Sequence, residues 1–100
     1  MIAEYNTPNT PTTVLNDSSL SLEGFRELID TIPAGVTRMY FVLAATAGAI
    51  GLPKKTFFMI ACYGTAGTKI VLGYPLDTTT DIYKMYRTST GWHDWIPSQG

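Results

Sequence analysis

A single cysteine, Cys62, rules out a disulfide within the chain. It lies in an apolar stretch, where the expected role is an inert buried thiol. A single histidine, His93, has no second ligand at recognised spacing, so no metal site and no cofactor are expected. Charge is scarce as well: 15% of the residues are charged, well below the roughly 25–35% that suits a solvated monomer surface. Net charge is -1 with the basic residues scattered, which removes the electrostatic footprint that nucleic-acid binding needs. No apolar run approaches the roughly twenty residues of a membrane span, and the longest, residues 39–45, has strand length. Insertion in a membrane is not expected. The N-terminus has neither a basic start nor an apolar h-region, so no signal peptide is expected and synthesis is assigned to the cytoplasm.

Threonine fills much of the space left by charge, with fifteen copies. It is β-branched and uncharged, and suits strands and the solvated faces of sheets. One hundred residues make one domain with a modest core. Residues 1–19, with Pro8 and Pro11 among Asn and Thr, read as an extended arm or linker. Residues 20–97 read as the folded domain, and residues 98–100 as a tail.

Ser21 reads as a helix N-cap with Glu23 in the first turn, and Leu20 and Phe25 stand at the positions of a hydrophobic staple. Leu22, Phe25, Leu28 and Ile29 share one stripe, and Pro33 and Gly35 close the helix. Strands follow over residues 36–43, 56–63, 68–74 and 82–87, with a short one from Trp92. The small-residue stretch 44–51 reads as a loop, and residues 64–67 as a hairpin loop with two glycines. The expected fold class is α+β: one short N-terminal helix packed on a small antiparallel β-meander of four to five strands. The expected core is Phe25, Leu28, Phe41, Leu43, Phe58, Ile60, Ile70, Leu72 and Ile82.

The C-terminal stretch carries the most information. Ile82-Tyr83 and Tyr86-Arg87 precede a Thr/Ser/Gly turn, and Gly91-Trp92 is followed by Trp95 three residues later. This arrangement resembles the end of the knob-like domains of bacteriophage tail fibres and R-type or F-type pyocin fibres. Pro33-Ala34-Gly35-Val36 leading into an apolar strand, and a central hairpin over about residues 57–72, fit the same pattern. The likeness extends over residues 20–96 and is specific over the last fourteen. The chain departs from the pattern where Met85-Tyr86-Arg87 interposes a second aromatic. The resemblance implies a virion component, a homotrimer about a fibre axis, in contact with other virion or tail proteins. At a fibre tip it implies attachment to host cell-surface saccharide.

Trp92, Trp95, Tyr83, Tyr86, Arg87, His93 and Asp94 are the candidate ligand-binding residues. Aromatic faces stack on sugar rings, and Arg87 or Asp94 would take hydroxyl hydrogen bonds. The competing reading makes Trp92 and Trp95 a core plug whose indole N–H groups are met by backbone carbonyls. Arg87 is expected to stack on Trp92 or to pair with Asp94. No catalytic residues are expected: His93 and Asp94 are adjacent and point apart on extended backbone, and Asp77 and Asp81 sit in a Thr-rich loop. Three functions stand at this point. They are a structural module of a phage-like fibre, a saccharide- or receptor-binding tip, and a cytosolic protein–protein interaction domain unrelated to phage.

Overall fold

The computed structural model describes residues 12–64, 67–77 and 81–99. The elements run β1 (Thr13–Leu15), α1 (Leu22–Asp30), β2 (Thr37–Val42), α2 (Ala44–Ala49), β3 (Phe57–Tyr63), β4 (Lys69–Pro75), β5 (Asp81–Thr88) and β6 (Gly91–Gln99). The six strands form one sheet in sequence order. Strands β2 to β6 pair antiparallel, whereas β1 pairs parallel to β2, with Val14 opposite Phe41.

Helix α1 begins where Ser21 caps it: the Gly24 N–H donates to the Ser21 hydroxyl at 2.9 Å. It ends where the Thr31 hydroxyl donates to the Leu28 carbonyl at 2.6 Å, two residues before Pro33. Because β1 and β2 run parallel, the chain must cross over between them, and α1 is that crossover.

Two expectations are thereby corrected. The sheet is six-stranded and mixed, not a four- to five-stranded meander, because Thr13–Leu15 joins it as an edge strand instead of trailing as an arm. The fold also has two helices instead of one, because Ala44–Ala49 is helical. Its N-cap is Leu43, which makes no side-chain cap, so the usual sequence signal for a helix start is missing. Thr46 secures α2 instead: its buried hydroxyl accepts the Asp17 backbone N–H at 2.7 Å, tying α2 to the segment leading into α1. The expectations for residues 1–11 and for loop positions 65–66 and 78–80 lie outside the described residues, as does Gly100.

Both helices lie on the same side of the sheet. Phe25, Ile29 and Ile32 from the α1 region and Ala47, Ile50 and Leu52 from the α2 region pack on Tyr40, Val42, Phe57, Met59, Ala61, Val71 and Met85. Phe57 is fully buried, and its ring leaves no room opposite: a Cβ built on Gly73 would stand 3.3 Å from Phe57 Cδ2. A side chain at position 73 would therefore press on this buried ring, which glycine avoids.

The core lies on the other parity from the one expected. Phe25 is buried and Leu28 packs against the core, but Phe41, Phe58, Ile60, Ile70, Leu72 and Ile82 face away from the helices. Leu43, half-buried, stands at the N-terminus of α2. In residues 39–42 and 57–61 every position is apolar, so alternation cannot say which face the helices take. The buried set is therefore displaced by one residue along each strand.

Phe57→Ala should lower stability by about 3–5 kcal/mol in urea unfolding, the cost of a large core cavity. Phe41→Ala, on the opposite face and 37% exposed, should cost less than half as much. Equal losses would place the core on the wrong face.

Candidate functional site

The β5–β6 hairpin is closed by a two-residue turn between the paired Thr88 and Gly91. Gly91 has φ +112°, a conformation that glycine adopts without strain. The Thr90 N–H donates to the Thr88 hydroxyl at 3.3 Å, and the two threonine hydroxyls are 2.8 Å apart.

From this turn the strands pair Arg87 with Trp92 and Tyr86 with His93, but then Lys84 with Ile96. Between the last two pairs β5 advances two residues and β6 three. The extra residue is a β-bulge at Asp94-Trp95. On an unbroken strand, residues three apart point to opposite faces. The bulge restores the parity, so Trp92 and Trp95 both pack on the helix-covered side.

Trp95 touches both helical segments. Its indole N–H donates to the Ile50 carbonyl at 3.0 Å, just past α2, and its ring centroid is 6.2 Å from that of Phe25 on α1. It also lies under Gly51, whose φ of +92° turns the chain after α2; a Cβ there would be 3.7 Å from Trp95 Cδ1. Trp92 is half-buried beneath the Arg26 guanidinium, whose carbon is 5.8 Å from the ring centroid. Tyr83 meets the Phe57 ring edge-on at 5.7 Å. Three of the seven candidate ligand-binding residues are thus engaged on the covered side.

The expected partners of Arg87 are replaced. Asp94 pairs with Arg26, whose Nη2 donates to Asp94 Oδ1 at 3.0 Å. That pair is worth little, because the Asp94 carboxylate is 89% exposed. Arg87 instead turns toward Asp30, with its Nη1 3.6 Å from Oδ1. Lys69 Nζ reaches the same oxygen at 2.9 Å and lies 4.6 Å from the centre of the Tyr63 ring. Lys69 and Arg87 are cross-strand partners, two cations side by side, and Lys69 is buried. Asp30 between them removes the repulsion. It is the last residue of α1, where a negative charge opposes the helix dipole, so the two cations account for its position. Asp30, Lys69 and Arg87 were not legible as a group, since they come from three separate elements, α1, β4 and β5.

The remaining candidates lie on the open side. Tyr86 and His93 stack at 4.5 Å between centroids and 13° between planes, and Lys84 Nζ stands 5.3 Å from the Tyr86 ring. The candidate aromatic cluster is therefore divided by the sheet. Among the described residues no concave pocket forms and no group of His, Cys, Asp or Glu could hold a metal ion. No helix of the described residues is long and apolar enough to cross a membrane.

Tyr40 Oη and Trp92 Nε1 are buried without a hydrogen-bond partner. Burial raises the Tyr40 phenol above the ordinary tyrosine range, and the Arg38 guanidinium offsets part of that without closing a hydrogen bond.

No known protein family, curated protein or solved structure matches this chain.

Asp30→Ala should destabilise the fold by about 1–3 kcal/mol, because it leaves the buried Lys69 ammonium facing Arg87. The lower end is favoured because Asp30 itself is about one-third exposed, so solvent already screens the pair. Thermal or urea unfolding measures the loss. A change below a few tenths of a kcal/mol would show that Asp30 does not hold the two cations.

Proposed function

We propose that this chain is a non-enzymatic structural module of a phage-like tail fibre or baseplate appendage, carried on the virion as a homotrimer among other tail proteins. The observation that carries the reading is the β5–β6 hairpin. The residues that resemble the end of fibre knob domains are those that close this fold, with Trp95 bridging both helical segments. A motif with that structural duty supports a scaffold reading. The scarcity of charge supports it too, since surfaces covered by neighbouring chains need little.

The saccharide-tip alternative draws less support from the geometry. Trp92 and Trp95 pack toward the helices, and the Trp95 indole N–H is already committed to a backbone carbonyl. Of the candidate residues, Tyr86 and His93 are the two rings that stand on the open face to form a stacking platform.

Light scattering on a sizing column should give the full chain three times its 11.0 kDa mass. Titration with host-wall glycans should leave tryptophan fluorescence unchanged. A monomer at every concentration would contradict the trimer. A saturable fluorescence change, lost in Tyr86→Ala, would favour the glycan tip.

A further inference from the structure

The sheet face turned away from the helices is largely apolar. By register it presents Val14 on β1, Met39 and Phe41 on β2, and Phe58, Ile60 and Cys62 on β3. It continues with Ile70, Leu72 and Tyr74 on β4, Ile82, Lys84 and Tyr86 on β5, and His93 and Ile96 on β6. None of these is buried, whereas their strand neighbours Val42, Phe57, Met59, Ala61, Val71 and Met85 are fully so. The face holds one formal charge, Lys84, and no carboxylate.

We infer that this face is the surface through which copies of this chain associate, sheet against sheet. The inference deepens the assembly half of the proposed function and rests on that half alone. Four observations select a second copy as the occupant. The first is size. Strands β2 to β6, spaced about 4.8 Å apart and about 24 Å long on average, give a face on the order of 600 Å² in projection, before the relief of the side chains. That approaches the roughly 800 Å² per partner of a stable interface, and it stands at the upper end of the apolar patch that monomers leave in water.

The second is charge. A face without acids and with a single cation encodes no oppositely charged partner, and it does not repel its own copy. Lys84, the one cation, stands over Tyr86 on β5, next to the edge strand β6, where its long stem can carry the ammonium out to water.

The third is the state of the edges. β1 has three residues, and β6 carries the bulge and Pro97, so neither edge is a good template for adding a strand. Association by strand addition is thereby disfavoured, and the face is left as the available surface. The fourth is shape. Apolar side chains alternate along neighbouring strands without a groove for a peptide or a pocket for a small ligand among the described residues. Three such surfaces can turn inward about one axis and bury their apolar side chains against one another, with the spacing of packed sheets, about 10 Å.

The test places a charge in the middle of the face, where a monomer would tolerate it. Full-length Ile60→Glu and Leu72→Lys are compared with the unaltered chain by light scattering, with far-UV circular dichroism as the check on folding. The unaltered chain should run at three times 11.0 kDa. Each variant should run at 11.0 kDa with its spectrum unchanged, the apparent dissociation constant having risen by at least about a hundredfold. Cys62 gives an independent readout that needs no substitution. A short bis-maleimide should link the unaltered chain into a covalent dimer, and should do so even where the charged variants fail to fold. Multimers that persist in both folded variants would overturn the inference while leaving self-assembly standing. A monomeric unaltered chain that does not cross-link would overturn both.

Discussion

Trp95 joins the three parts of this molecule that sequence keeps far apart. Its indole N–H is bound to the Ile50 carbonyl at the end of α2, its ring lies beside Phe25 of α1, and its backbone belongs to the last strand. The bulge at Asp94-Trp95 makes this possible, since on an unbroken strand Trp95 would have pointed to the other face from Trp92. With both tryptophans on the helix side, the hairpin closes over the core, and the opposite face is left with Tyr86, His93 and Ile96. One extra residue thus decides which side of the sheet is interior at its far edge.

The two helices cover one side only. α1 arrives there as the crossover between parallel β1 and β2, and α2 as a one-and-a-half-turn insertion before β3. Val42, Phe57, Met59, Ala61, Val71 and Met85 beneath them are fully buried; the residues of the other parity, equally apolar in β2, β3 and β4, are not. A half-buried antiparallel sheet ordinarily alternates apolar with polar residues, one face to the core and one to water. Here the alternation is missing because both faces are apolar. The low charge content of the whole chain and the character of this face are one fact seen at two levels.

The sequence made part of this legible. Ser21 as cap, the apolar stripe of α1 and the approximate positions of β2 to β6 follow from period and turn chemistry. Helix α2 was not legible, because Leu43 offers no cap and Ala44–Ala49 has no stripe of large side chains to show a period. β1 was hidden because a three-residue strand between proline-rich and polar segments gives no alternation to read. The face assignment failed for a related reason: Met39-Tyr40-Phe41-Val42 is apolar at every position, so only the tertiary placement of the helices distinguishes Tyr40 from Phe41. At the candidate site, Gly91-Trp92 and Trp95 stood out from spacing alone, but that spacing could not announce a bulge. The Asp30, Lys69 and Arg87 group joins residues from three elements, which no local pattern connects.

Cys62 provides the most direct measurement of which face is open. It lies on the face away from the helices, paired across to Ile70, with its thiol half-buried. In the folded, monomeric Leu72→Lys chain, the rate of reaction with a thiol reagent should exceed the rate of global unfolding and should not change with added urea below the unfolding transition. Modification that occurs only as the chain unfolds would mean that Cys62 is interior, and that the sheet buries the face described here as open.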